Sequence, residues 1–142
     1  MEEVRVTVLL PMDIELHWLT VAPWIVQAVG EGVDDTDMKY IKQQALAGAA
    51  QIWVVRKKDI EAVLVTEAAF YGGRRTLILR WLCGKRIDEW AAILEAVELW
   101  AYENQFERVE AWGRKGWEKV LRPLQYTHEF TVLGKSLARR MH

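Results

Sequence analysis

The chain has 142 residues, of which 51% are hydrophobic and 27% charged, and a formal net charge of −1. That length suits one domain with a full core, and near-neutrality argues against a general polyanion binder, which carries a basic excess. A single cysteine, Cys83, excludes an intrachain disulfide and gives no metal cluster.

The chain opens with "MEEVRVTVLL", an acidic start and a short apolar run with no small-residue cleavage site. It reads as neither signal peptide nor membrane span, which places the protein in a reducing cytoplasm. "VRVTVLL" alternates and is rich in valine, so it predicts a strand ending at Pro11. Ile14, Trp18, Val21, Ala22, Ile25 and Val29 then fall on one helical stripe. Pro23 lies inside it and is expected to kink the helix or begin a second one. "GEGVDDTD" is a loop whose Asp34, Asp35 or Thr36 caps the next helix, with Met38, Ile41, Ala45 and Ala49 on its buried face.

"QIWVVRKK" and "IEAVLVTEAAFY" read as a hairpin, and Gly72-Gly73 turns the chain into "RRTLILRWL". Thr76–Leu82 is nearly continuous apolar, the pattern of a strand buried on both faces at a sheet centre. A long helix follows, capped by Asp88 and burying Trp90, Ile93, Leu94, Val97 and Ala101. "ERVEAWG" is the next strand, "GWEKVLRPL" a short helix stopped by Pro123, and "EFTVLGKSL" a last strand. A central strand, a long helix and another strand imply a right-handed crossover. In "WGRKGW" the two glycines mark a corner, with Trp112 and Trp117 anchoring strand and helix against each other and Arg114 and Lys115 in solvent.

The order β-α-α-β-β-β-α-β-α-β resembles the GNAT superfamily, the Gcn5-related N-acetyltransferases, over nearly the whole chain. "WAAILEAVELWAYENQFERVEAWGRKGWEKVLRPLQYTHEFTVLGKSL" carries most of the likeness, with Tyr126 where the family often has Phe and Gln125 in place of Gly. "AQIWVV", "VTE" and "GRKGWEKVL" are similar to small GNAT-like proteins of tailed bacteriophages. The resemblance implies an α/β fold, a single domain over residues 1–142 with a mixed, mostly antiparallel sheet flanked by helices. It also implies an acetyl-CoA site in a splayed gap beside the central strand. There the family holds the pyrophosphate with a loop Gln/Arg-x-x-Gly-x-Gly/Ala, through backbone N–H groups at a helix N-terminus. Here Trp81-Leu82-Cys83-Gly84-Lys85-Arg86 keeps only the middle glycine. Asp88 and Glu89 add negative charge where a phosphate needs the opposite. If acetyl-CoA binds, its contacts are Leu82, Cys83, Gly84, Lys85 and Arg86.

Acetyl transfer to an amine needs a base, an oxyanion donor and an acid for the departing thiolate. Thr76–Leu82 offers neither carboxylate nor imidazole, and Arg80 is its only ionisable side chain. Glu67 and Glu110 lie on the flanking strands and are candidate bases, although alternating surface charge explains both. Tyr126 is the candidate acid by position, against a core role for its ring. Tyr71 and Tyr102 have no positional argument. His17, His128 and His142 do not cluster, so no metal site is expected. Cys83 reads as a small apolar residue rather than a nucleophile. Arg56-Lys57-Lys58, Arg74-Arg75 and the terminal "ARRMH" read as solvated surface, so nucleic-acid binding is not expected.

The residues thus favour a GNAT-like protein with a degenerate acetyl-CoA loop. The expected role is a phage-encoded interaction or virion-associated component in the host cytoplasm, with no cofactor and no acetyl transfer. The alternative is an N-acetyltransferase using acetyl-CoA. Eight tryptophans suit a protein partner or self-association, and Trp24, beside Pro23, is the one expected to be exposed.

Overall fold

The computed structural model describes residues 3–30, 35–84, 90–113, 115–135 and 137; of Asp35, Thr36 and Lys115 it describes the backbone alone. In chain order the elements are β1 (Arg5–Val8), α1 (Ile14–Val29), α2 (Asp35–Leu46), β2 (Ala50–Arg56), β3 (Ile60–Tyr71), β4 (Arg74–Gly84), α3 (Trp90–Glu103), β5 (Arg108–Ala111) and α4 (Lys115–Leu121). The strands form one sheet in the order β1-β2-β3-β4-β5. The first four are antiparallel neighbours, and β5 joins β4 in parallel, Thr76 opposite Arg108 through Leu79 opposite Ala111. This is the mixed sheet that the GNAT-like pattern implied, with α3 lying between the two strands of its parallel pair, the only such pair among the described residues.

Strand alternation splits the apolar residues between two cores. One face buries Trp53, Leu64, Leu77 and Leu79 against Ile93, Leu94, Val97 and Ala101 of α3. The other buries Ile52, Val54, Val63 and Val65 against Ile14, Val21 and Ile25 of α1 and Ile41 and Ala45 of α2. Thr76 and Ile78 on the first side of the β4 alternation and Leu77 and Leu79 on the other are all buried, which is why this segment reads as continuous apolar. Trp90 is half-buried and packs against the α3-side core beside Trp117, the ring centroids 5.8 Å apart.

The structure departs from the sequence reading in several places. α1 runs unbroken through Pro23. The N–H that proline lacks would have met the Leu19 carbonyl, and both residues lie on the exposed side of the helix, where the loss costs least. Trp24 is half-buried against the α1–α2 core, not exposed; Pro23 and Val26 take the outward positions and leave it on the flank of the helix. Ala49 lies beyond the end of α2, in a turn where Gly48 has φ +80°. Asp34, the side chains of Asp35 and Thr36, and Asp88 fall outside the described residues, so these proposed caps do too.

The last strand is also absent among the described residues: 127–135 form no ladder and are largely exposed. Gln125, in the left-handed region at φ 73°, ends the turn after α4. Beyond it the chain is tied to β5 by a side-chain ion pair, Arg108 to Glu129 at 2.6 Å, rather than by backbone hydrogen bonds. An alternating pattern becomes a strand only where an edge accepts its backbone.

The corner at "WGRKGW" has a steric cause. A Cβ on Gly113 would lie 2.0 Å from Cδ2 of Trp117. The indole lies against the glycine backbone and packs on Trp90. Trp112 and Trp117 therefore do not brace each other: Trp112 bonds to Glu110 and faces Arg80, while Trp117 joins the α3-side core. The side chains of Arg114 and Lys115 are outside the described residues. Gly113→Ala is expected to cost about 1–3 kcal/mol, because the ring must move out of a packed site. Denaturant melts of G113A measure this, and the added substitution W117L is expected to recover much of the loss. Full stability in G113A would show that the ring relocates freely.

Candidate functional site

The site is built where β4 and β5 part. The last bond between them runs from the Trp112 N–H to the Leu79 carbonyl, 2.9 Å. β4 continues to Gly84, still paired to β3 on its other edge, with Leu82, Cys83 and Gly84 opposite Leu64, Val63 and Ala62. From Arg80 to Gly84 the edge turned toward β5 has no strand partner among the described residues. It offers backbone donors and acceptors to an extended ligand.

A bulge marks the point of parting. Val65 pairs with Trp81 and Thr66 with Leu79, so Arg80 is the extra residue. The bulge resets the alternation: Leu77 and Leu79 face α3, but beyond it Leu82 does so and Trp81 crosses to the α1–α2 side. A sequence pattern read with period two across Thr76–Leu82 misses this change.

Arg80 organises the α1–α2 side of the opening. Its guanidinium lies 3.3 Å from the Glu67 carboxylate, 4.4 Å from the Trp81 ring centroid and 5.2 Å from that of Trp112. Two aromatic faces and one carboxylate hold a cation in place. Glu67 is half-buried and stands opposite Ile78, two positions along β4 from the bulge. Its ion pair with Arg80 engages one carboxylate oxygen and leaves acceptor capacity on the other.

Glu110 is different in kind. It is only 9% exposed and accepts from three donors: the Tyr71 hydroxyl, Arg108 Nε at 3.0 Å and Trp112 Nε1 at 3.0 Å. Burial raises its pKa, but the bonds from Tyr71 and Trp112 and the Arg108 guanidinium outweigh that and hold the carboxyl below its usual range. It is a buried network member, not the surface charge that alternation suggested. Tyr71, which had no positional argument in the sequence, is its partner; the hydrogen bond to Glu110 pushes the phenol above its usual value. Arg108 continues the network to Glu129. A shallow cleft of about 300 Å³ lies over these residues, bounded also by Arg74, Thr76 and Phe130.

Tyr126 is on the other side of the sheet. Its ring packs on the α3-side core, and its hydroxyl donates to Glu98 of α3 at 2.7 Å. Burial first, and then this bond, push the phenol far above its usual value. The structure therefore brings Glu67, Arg80, Trp81, Trp112 and Glu110 together and leaves Tyr126 apart. Leu82, Cys83 and Gly84 are half-buried strand residues at the opening rather than loop residues. The Cys83 thiol donates to Gln27 of α1 at 3.1 Å, and burial raises its pKa. Lys85 and Arg86 lie outside the described residues. Among the described residues no cluster of His, Cys, Asp and Glu is placed to hold a metal, and no helix is long and apolar enough to cross a membrane.

A mixed sheet whose parallel pair splays beside a bulge, with helices on both faces, is the GNAT acetyltransferase fold. Solved structures that it resembles include known and predicted acetyltransferases. A probable acetyltransferase matches with TM-score 0.69 and 13% identity over 96% of this chain and 99% of that one. A predicted acetyltransferase from Clostridium acetobutylicum, solved with acetyl-CoA, matches with TM-score 0.69 and 13% identity over 95% and 97%. An aminoglycoside N-acetyltransferase in complex with CoA matches with TM-score 0.70 and 10% identity over 97% of each chain. At such identities the likeness is one of fold. Neither a protein-family model nor a curated protein matches the chain.

Proposed function

We propose that the protein is an acetyl-CoA-dependent N-acetyltransferase, the reading set second on sequence alone. The observation that carries it is the unpaired edge of β4 from Arg80 to Gly84, opened by the departure of β5 at Leu79. An extended chain bearing amides fits such an edge by adding to the ladder. When bound, acetyl-CoA supplies the thioester whose acyl carbon an amine attacks. The chain's own part follows from its residues. Leu82, Cys83 and Gly84 line the donor side, and Lys85 and Arg86 follow them in sequence to meet phosphates. Glu67, with acceptor capacity to spare, takes the proton from the incoming amine, directly or through water. Arg80 holds Glu67 in place. Glu110 is committed to three donors and serves the scaffold.

A second reading, a GNAT-like interaction or virion-associated protein without transfer, is favoured by Tyr126. A phenol that donates to Glu98 and packs in the core is not placed to protonate a departing thiolate. Calorimetric titration with acetyl-CoA separates the two. Binding in the micromolar range that weakens at least about tenfold in K85A/R86A is the expected result. Absence of binding at millimolar acetyl-CoA would leave the second reading standing.

A further inference from the structure

The cleft beside the β3–β4 turn has no part in the reaction proposed above. Strand register places it. Thr76 stands opposite Arg108 on β5, and two residues nearer the turn Arg74 stands opposite Tyr71. Alternation turns these side chains and Glu110 to one face of the sheet. The space over them, about 300 Å³, is at the low end of the range for small-molecule sites, and Glu129 and Phe130 also line it. It lies toward the start of β4, whereas the opening beside β5 lies toward the end.

Thr76 is 0% exposed, and its hydroxyl has no hydrogen-bond partner among the described residues. A buried hydroxyl in that state is costly, and a valine of the same shape avoids the cost. A group that enters the cleft and bonds to the hydroxyl accounts for the threonine.

The surrounding side chains select the chemistry of that group. Arg74 makes no ion pair or hydrogen bond among the described residues, and its fork of N–H donors borders the cleft. Arg108 uses Nε on Glu110 and Nη2 on Glu129, which leaves Nη1. The Tyr71 oxygen, having donated its proton to Glu110, can still accept, and Glu129 has one oxygen outside its bond to Arg108. Spare donors and spare acceptors therefore face the same space. The charges balance, Arg74 and Arg108 against Glu110 and Glu129. A carboxylate or phosphate would bring negative charge onto two carboxylates, and an ammonium would bring positive charge onto two guanidiniums. Hydroxyl groups donate and accept without charge. Tyr71, 43% exposed, and Phe130, 55% exposed, add aromatic surface for C–H groups.

We infer that the cleft is a binding site for a neutral polyhydroxylated ring, a single pyranose unit, seated on the Thr76 hydroxyl. One ring hydroxyl pairs with Thr76, others pair with Arg74 and the free oxygen of Glu129, and the C–H face meets Phe130. The site does not depend on acetyl transfer, so its test contains no acetyl-CoA.

Amide and guanidinium NMR spectra of the full chain, titrated with D-glucose and with D-galactose up to about 100 mM, provide that test. At least one of the two sugars is expected to give saturable shifts at Thr76, Arg74 and Arg108, with a dissociation constant of about 1–10 mM. Sodium acetate and methylammonium chloride are expected to give none there. T76V is expected to weaken binding at least about tenfold while melting no lower than wild type, since valine keeps the shape and removes the unpartnered hydroxyl. R74A, at an exposed position, is expected to weaken it at least about fivefold with an unchanged melt. The inference is overturned if neither sugar gives saturable shifts, if T76V or R74A binds as wild type does, or if acetate or methylammonium shifts the same residues more strongly. A T76V protein that melts lower than wild type also overturns it, because the hydroxyl then has an internal water as its partner and needs no ligand.

Discussion

Replacing Trp53 with alanine is expected to lower stability by about 3–5 kcal/mol, the range for removing a large buried aromatic whose site does not collapse. Trp53 is 2% exposed in the middle of β2, on the face covered by α3. Its ring meets Trp100 edge-on, centroids 5.5 Å apart, and Trp100 in turn stacks on Phe106 at 5.8 Å. Its Nε1 donates to the Thr66 hydroxyl at 3.0 Å, and that hydroxyl donates to Gln51 at 2.8 Å. Thr66 and Gln51 are themselves buried. Alanine thus leaves a cavity and also an acceptor lone pair of Thr66 without its donor. Phenylalanine keeps most of the ring volume but not the N–H. W53F is expected to cost less, about 1–3 kcal/mol, and the difference between the two variants separates cavity from hydrogen bond. Guanidinium melts with unchanged slope measure both. A loss under about 1 kcal/mol in W53A would mean that α3 settles onto the vacated site.

How much of this was readable beforehand depends on what each residue's environment is made of. Thr76–Leu82 announced a doubly covered strand because burial on two faces is an apolar pattern, and apolar pattern is local. The glycine pairs at Gly72-Gly73 and in "GRKGW" marked turns for the same reason. The bulge at Arg80 was not legible, because one extra residue in a continuous apolar run leaves no gap in periodicity. The loss of the final strand was not legible either. "EFTVLGKSL" alternates as a strand should, but pairing depends on an edge elsewhere in the chain. Glu110 looked like alternating surface charge because its partners are far off: Tyr71 is 39 residues away. A carboxylate with a basic residue and a tryptophan each two positions off, on one side of the same extended segment, was the one available signal. Trp24 was misplaced by a different route. Proline beside tryptophan suggested exposure, whereas the 100° step between successive helical residues turned the proline out and the indole sideways.

The two carboxylates beside the opening are expected to separate cleanly on substitution. Glu67→Gln keeps the shape of the side chain and removes its capacity to take a proton. If Glu67 is the base, transfer falls by about 10²–10⁴-fold while acetyl-CoA binding and fold hold, the lost ion pair to Arg80 costing about 1 kcal/mol. Glu110→Gln behaves in the opposite way. The amide can accept from Tyr71, Trp112 or Arg108, but it no longer neutralises the Arg108 guanidinium, and its NH2 group faces donors. Breaking one partner of a buried charged pair costs about 3–5 kcal/mol when the other charge is left uncompensated. Arg108 retains Glu129, so about 2–3 kcal/mol is expected here. The pH dependence carries the same signature. The Glu110 pKa is held below its usual value in the fold. Its contribution is therefore present above the unfolded carboxyl pKa and is lost as pH falls through the folded one. Wild type is expected to lose stability on acidification below about pH 4.5 more steeply than E110Q, because the variant has no proton to take up there. Thermal melts of both proteins between neutral pH and about pH 3 read the difference, and transfer assays at neutral pH read the first substitution. A Glu110→Gln protein that melts like wild type but has lost transfer would exchange the roles assigned to Glu67 and Glu110.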